Sequence, residues 1–322
     1  MRVFVTGATG FLGGRLAGLL RRRDDQVVAL VRSPARAGAL AGLGCELVAG
    51  DLGGLPAGSL ERCDLVVHAA AVYKVGVRPA EAAAMRGANV AGTERVIDAA
   101  VRAGVPRILY VSTVNVFGDT HGAIVDESHA RDLSEGFLSA YDETKYRAHE
   151  LARERAAGGA PVLIAMPGGI YGPGDTSQLG DQIRAAMAGR LRYVSFPTLG
   201  LNAGYVDDIA AGLLLIAERG ALGESYVIGG EVTTMRALID AAATAAGRRP
   251  PRLTMPGLAV KALAPLAPLV GPALGLPANL RETIRATDGV TYWATDAKAR
   301  RELGYEARSL VQGMADLAAS GD

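Results

Sequence analysis

Tyr141 and Lys145 lie four residues apart in a helical stretch, residues 139–157, so both side chains leave one helix face. That pair suits carbonyl reduction. A carbonyl carbon that accepts hydride leaves an alkoxide, and the alkoxide needs a proton donor. Free tyrosine titrates near ~10, too high to cycle easily at neutral pH. An ammonium about 4 Å away, at an effective dielectric of about 20, favours the phenolate by ~4 kcal/mol. The expectation is a Tyr141 hydroxyl brought toward neutrality by Lys145. Spacing alone is weak, because ten tyrosines and four lysines in 322 positions give about 0.12 such pairs by chance. Position adds weight: the pair follows the fifth apolar run and its loop. Ser112 or Thr113, ending that run, can supply a hydroxyl that polarises the substrate oxygen. Asn89 belongs to a helical stretch facing the same region, as a hydrogen-bonding group or as a plain helix residue.

A second constellation lies at the start of the chain. Thr6-Gly7-Ala8-Thr9-Gly10-Phe11-Leu12-Gly13 stands between an apolar run and a helical stretch. In that setting Gly7 permits a tight turn, Gly10 admits a pyrophosphate, and Gly13 lets helix meet strand. The phosphates would sit on the free N–H groups of the helix N-terminus. The end of the second apolar run then chooses the dinucleotide. An acidic residue there holds the adenosine ribose hydroxyls of NAD. Here Val31 is followed by Arg32, Ser33 and Arg36, with no carboxylate. A guanidinium suits the extra 2′-phosphate of NADP(H), the expected cofactor, ahead of NAD(H). Asp51 and Leu52, past the third run, can frame the adenine. Lys145 can hold the nicotinamide ribose and position the hydride donor.

These residues need a scaffold, and the chain's patterning supplies one. Apolar runs at residues 2–6, 26–31, 46–49, 64–68, 107–112 and 161–166 alternate with helical stretches near 11–23, 35–42, 80–103 and 139–157. Such runs read as parallel strands buried on both faces. The expected fold is α/β, a Rossmann-type doubly wound parallel sheet over residues 1–170. Residues 171–322 are expected to form a smaller, mostly helical substrate-binding cap that returns one strand, near 225–228, to the sheet. Residues 167–174 read as a loop by composition, with helices near 177–189, 207–219, 233–246, 295–303 and 308–319 beyond it.

Composition excludes several alternatives. Hydrophobic residues make up 49% of the chain and the net charge is +1, which argues against disorder and against nucleic-acid partners. Two cysteines and four scattered histidines give neither a disulfide framework nor a metal site. With no signal-like segment at Met1, a cytoplasmic protein is expected. The uncharged stretch Ala262–Leu280 could read as a membrane span, but four prolines interrupt it, so a buried part of the cap is expected instead. Arg21, Arg22 and Arg23 read as a solvated helix end. Asp207 and Asp208 read as an N-cap with a first-turn acid rather than paired catalytic carboxylates. Tyr73 and Lys74 follow the fourth run, where a loop should overhang the substrate, and Phe117 and Tyr171 are further candidates for substrate contact.

The residues resemble a family, the extended short-chain dehydrogenases/reductases, over nearly the whole chain. Residues 6–13 are similar to its TGxxGxxG, Tyr141–Lys145 to its YxxxK, and Asn89-Val-Ala-Gly-Thr93 to its NVxGT. Tyr110–Gly118 resembles the active-site serine/threonine segment, and counting back from Gly118 the resemblance puts the catalytic hydroxyl on Thr113. It also implies cofactor contacts from Ala69, Ala70 and Ala71 after the fourth strand and from Pro167, Gly168 and Ile170 in the segment 167–174. Asn115 and Gly169 would face the substrate. Sugar dehydratases carry an acidic pair where Val114-Asn115 stands, and nucleotide-sugar enzymes usually carry asparagine where Gly169 stands. The pattern is closest to the dihydroflavonol-reductase-like group. The resemblance thus implies an NADP-dependent reductase of a small-molecule carbonyl, working as a homodimer. A sugar epimerase recycling bound NAD and a non-catalytic dinucleotide-binding regulator are the alternatives.

Overall fold

The computed structural model describes residues 1–255 and 279–321. The chain begins β1 (Arg2–Thr6), α1 (Phe11–Arg22), β2 (Gln26–Val31), α2 (Gly38–Gly42), β3 (Glu46–Ala49) and β4 (Leu65–His68). It continues α3 (Pro79–Arg86), α4 (Gly92–Arg102), β5 (Ile108–Val111), α5 (Ala140–Ala157) and β6 (Val162–Pro167). Then come β7 (Gly169–Tyr171), α6 (Gln178–Met187), β8 (Tyr193–Ser195), β9 (Gly200–Tyr205) and α7 (Val206–Arg219). β10 (Ser225–Ile228), β11 (Glu231–Thr234), α8 (Met235–Ala245) and β12 (Leu253–Met255) follow, with helices Leu280–Thr287, Ala297–Leu303 and Leu310–Ser320.

Seven strands make one parallel sheet in the order β10-β6-β5-β4-β1-β2-β3. The order reverses between β1 and β4. Their carboxyl ends, Thr6 and His68, therefore flank the crevice where such sheets take ligands. The returning strand is present: β10 pairs with β6, Ile228 opposite Pro167.

Alternation along β1 shows why helices must cover both faces. Val3 and Val5 enter one core with Leu16 and Leu20 of α1 and Ile209 and Leu213 of α7. Phe4 enters the other with Val96 and Ile97 of α4 and Ala148 and Ala152 of α5. Each such fully buried large side chain stabilises the fold by roughly 1.5–3 kcal/mol. β10, α7 and the helix Ala297–Leu303 belong to this sheet's first core although they follow residue 170. A third core joins α6, α8 and the closing helix Leu310–Ser320 to β7 and β9.

Three local expectations are corrected. Residues 167–174 are not simply a loop: β6 runs through Pro167, and β7 pairs in parallel with β9 at an edge of the sheet β11-β9-β7. Proline and glycine are tolerated at strand ends and edges, so composition misled there. The single helix expected over 80–103 runs without a break from Pro79 to Arg102 but is not α-helical throughout, since a π turn, Gly87–Ala91, joins α3 to α4. The stretch 35–42 is a short 3-10 turn, Pro34–Arg36, followed by α2. The second half also carries strands β8, β9, β11 and β12 that the pattern did not reveal. Most of Ala262–Leu280 lies outside the described residues. Among the described residues no helix is long and apolar enough to cross a membrane.

Candidate active site

The β1–α1 turn is glycine for steric reasons. Gly7 has φ +75°, and a Cβ there would stand 2.7 Å from the Ala70 nitrogen. A Cβ at Gly13 would collide with the Gly7 carbonyl oxygen. Loop, α1 and the Ala69–Ala70 segment thus interlock at backbone distance, and a cavity of about 740 Å³ opens beside them. Gly7, Thr9 and Gly10 line it on the loop side, and Ala69, Ala70 and Ala71 line it after β4. Arg32, Asp51 and Leu52 line it at the ends of β2 and β3. A backbone cradle at a helix N-terminus, set in a cavity of this volume, fits the pyrophosphate and adenosine of a dinucleotide.

Other expected contacts fall elsewhere. Gly13 shapes the cradle from behind without lining the cavity; Phe11 and Leu12 open α1 beside it. Arg36 is exposed in its 3-10 turn. Pro167 ends β6, Gly168 links it to β7 and Ile170 lies in β7, and none of the three borders this cavity. Sequence reasoning missed Leu30, Gly50, Val72, Gly87, Ala88 and Arg95, which do. Gly87 and Ala88 arrive through the π turn, a feature that hydrophobic periodicity does not register.

Asn89 ties the cavity wall to the tyrosine. Its Oδ1 accepts from the Val72 N–H at 2.7 Å, and its Nδ2 donates to the Val72 carbonyl and to Thr144 Oγ1, each at 3.0 Å. Thr144 in turn donates to the Tyr141 carbonyl at 3.0 Å. α5 is anchored at the same end. Ser139 Oγ caps it by accepting from the Asp142 N–H. Asp142 is buried and takes two hydrogen bonds from Arg131, at 2.6 and 2.7 Å. Glu282, from the helix Leu280–Thr287, accepts from the backbone N–H groups of Val77 and Ala140, so it fastens the segment before α3 to the start of α5, beside Tyr141.

The proton chemistry differs from expectation in one respect. Burial pushes the Tyr141 hydroxyl well above its ordinary value; Tyr73, Tyr110 and Asp142 push the same way, and a hydrogen bond with Thr113 opposes them. The Lys145 ammonium is engaged on β5, where it donates to Tyr110 Oη at 3.1 Å and to the Val111 carbonyl at 2.8 Å. Burial pulls Lys145 itself down to about 7. Thr113 Oγ1 donates to Asn115 Oδ1 at 3.1 Å and accepts from the Asn115 N–H, so Thr113 and Asn115 form one unit next to Tyr141. Ser112 instead faces His149 Nδ1 at 3.0 Å, away from this unit.

Two buried histidines carry a testable consequence. Burial holds His68 and His149 down to about 3. An unfolded imidazole titrates near ~6.5, so between those values the unfolded chain binds protons that the folded chain refuses. Stability is therefore lost as pH falls from about 6.5 toward 3. At pH 5.5 the two groups should remove about 2–3 kcal/mol relative to pH 8. Urea unfolding at both pH values measures this, and His149→Gln should recover about half of the loss. An unchanged midpoint would contradict neutral buried imidazoles.

Of the substrate-side candidates, Tyr73 is exposed and lies edge-on to the Tyr141 ring, centroids 4.6 Å apart. Lys74 pairs with Glu81 at 2.5 Å on the surface. Phe117 is buried in the second core against His129, and Tyr171 is buried against Tyr205, so neither presents an open face. Gly169 starts β7. Asp207 and Asp208 both stand in the first turn of α7, whose N-cap is Tyr205, which corrects the expected cap. Asp208 holds Arg308 at 2.7 Å.

A family model described as the NAD dependent epimerase/dehydratase family matches residues 3–229. The chain is 34% identical to a 4-hydroxy-2-methyl-3-oxo-4-farnesyl-3,4-dihydroquinoline-1-oxide ketoreductase of Stigmatella aurantiaca, over 96% of this chain and 92% of the relative. It is 31% identical to a putative dihydroflavonol 4-reductase of Synechocystis sp., over 97% and 92%. Among solved structures, MoeE5 in complex with UDP-glucose and NAD superposes with a TM-score of 0.76 at 26% identity, covering 99% and 98%. The glycine cradle at the sheet's switch point and these matches agree: the chain belongs to the NAD-dependent epimerase/dehydratase family, within the extended short-chain dehydrogenases/reductases.

Proposed function

We propose that the protein is an NADP-dependent reductase of small-molecule ketones or aldehydes. The observation that carries the cofactor preference is Arg32, which lines the same cavity as the glycine loop at a strand end without a carboxylate. Its guanidinium would hold the 2′-phosphate by charge-assisted hydrogen bonds. When bound, the nicotinamide would supply hydride to the carbonyl carbon. Tyr141 donates the proton to the nascent alkoxide, Thr113 polarises the carbonyl oxygen, and Lys145 holds the ribose hydroxyls. Tyr73, on the open side of Tyr141, contacts the substrate. The ketoreductase relative, whose named substrate carries an oxo group and a farnesyl chain, supports a carbonyl substrate with apolar character. Val114-Asn115 and Gly169 disfavour a sugar dehydratase and a nucleotide-sugar enzyme.

Calorimetry of the purified protein with NADPH and NADH tests this. Arg32→Ala should weaken NADPH binding by about 10- to 150-fold, the equivalent of one charge-assisted contact, and leave NADH unchanged. Equal binding of both dinucleotides by the unaltered protein, or NAD retained through purification, would move the reading to an epimerase.

A further inference from the structure

Lys145 has three N–H bonds, and the protein engages two of them through the Tyr110 hydroxyl and the Val111 carbonyl. The first of these acceptors has its orientation set from behind. Thr93 uses its own proton on the Asn89 carbonyl at 2.6 Å and faces His68 Nε2 at 3.0 Å. His68 Nδ1 faces Thr6 Oγ1 at 2.7 Å. Ser112 Oγ faces His149 Nδ1 at 3.0 Å. Thr93 and Ser112 are the polar neighbours that draw the Tyr110 hydroxyl downward against the larger effect of burial. Because the Tyr110 oxygen accepts from the ammonium, a lone pair faces Lys145 and the phenol's own proton points away from it. Tyr110 is almost fully buried, its ring stacked on His68 with centroids 5.8 Å apart, so the hydroxyl has little freedom to turn away.

We propose that Tyr110 is a positioning residue for Lys145: its hydroxyl, oriented by Thr93 and Ser112, holds the ammonium at the end of β5 with one N–H left for the nicotinamide ribose. This rests on the reading of Tyr141 and Lys145 as the active pair. It adds a residue that the Tyr-x-x-x-Lys spacing does not contain and that comes from a strand rather than from α5. The arrangement also selects the charged lysine, because the Tyr110 lone pair and the Val111 carbonyl accept hydrogen bonds that the ammonium donates. The titratable groups facing Lys145 are His68 from β4, Tyr110 from β5 and His149 from α5, and Tyr141 lies one helical turn before it on α5. The histidines are held down to about 3 and the two tyrosines above their ordinary value, which leaves Lys145 to titrate near neutrality.

NADPH fluorescence titrations of the full chain from pH 5.5 to 9 test this without a substrate. Affinity of the unaltered protein should weaken as pH rises through the Lys145 value. Tyr110→Phe keeps the ring on His68 and removes the acceptor. Its midpoint should move down by about one pH unit, with affinity at pH 7.5 about 5- to 10-fold weaker. Ser112→Ala frees the phenol to rotate and should shift the midpoint the same way by a smaller amount; it decides the matter if Tyr110→Phe does not fold. Midpoints unmoved in both variants overturn the proposal. Lys145→Ala separates the two levels. If it abolishes the pH dependence while Tyr110→Phe leaves it in place, the positioning role alone fails. If Lys145→Ala keeps the pH dependence of the unaltered protein, the reading of the site fails with it.

Discussion

Tyr141→Phe is expected to lower kcat for ketone reduction by about 10²- to 10⁴-fold, the range removed with a general acid, while NADPH affinity stays within about threefold. The substitution deletes one oxygen and keeps the ring against Tyr73, so packing should survive. The state of that oxygen decides the direction of the chemistry. Burial and the neighbouring Tyr73, Tyr110 and Asp142 hold it protonated well beyond neutral pH. A reduction needs a protonated donor at the moment of encounter, and a secondary alkoxide is more basic than a phenolate, so transfer remains downhill. Alcohol oxidation needs the phenolate and should therefore speed up as pH rises. Lys145 bears on the same step from another side: it loses its charge near neutrality, so ribose positioning weakens where oxidation gains. Steady-state kinetics on a ketone that the unaltered protein reduces would show the loss. Undiminished turnover in Tyr141→Phe would remove this residue from the chemistry and leave the proposed site without its donor.

The residues that make backbone chemistry were legible because their types are constrained. Gly7 needs a positive φ, and Gly13 meets the Gly7 carbonyl, so no other residue type serves and the motif is written directly in the chain. The buried parallel strands were legible for a similar reason, since β4, β5 and β6 are buried at every position and read as unbroken apolar runs. The second half was harder. β7 and β9 are rich in glycine, and β9 carries the buried Asn202, whose amide bonds the Ala294 backbone 92 residues away. A polar residue satisfied by so distant a partner carries no local signal. The same holds at the site. Arg95 and the π-turn residues Gly87 and Ala88 border the cavity, and local patterning carries no sign of the π turn. Tyr110 reads as one more apolar strand residue until Lys145, 35 positions later, is brought against its hydroxyl. The placing of the Lys145 ammonium is a further case: four-residue spacing sets the helix face, while the acceptors on β5 hold the side chain.

Gly13→Ala should be severely damaging to dinucleotide binding, because the added methyl group meets only backbone. Its Cβ would overlap the Gly7 carbonyl oxygen and stand 2.7 Å from the Gly7 carbonyl carbon and 3.1 Å from the Ala8 Cα. All three are backbone atoms, so no side-chain rotation relieves the clash. Either α1 moves off β1 or the loop moves into the cradle. Overpacking of this kind costs about 1–3 kcal/mol of stability. Binding should suffer more, because the displaced loop carries the N–H groups that face the pyrophosphate. Losing two charge-assisted contacts at about 1.5–3 kcal/mol each weakens the dinucleotide by roughly 10²- to 10⁴-fold. Gly18→Ala is the matched control on the same helix. Its new Cβ would find the Arg22 side chain at 3.5 Å and nothing closer, and alanine is the better helix former by about 1 kcal/mol. That variant should melt slightly higher and bind NADPH as the unaltered protein does. If both variants bind equally well, the loop is not the phosphate cradle, and the glycine pattern serves only the packing of α1 on β1.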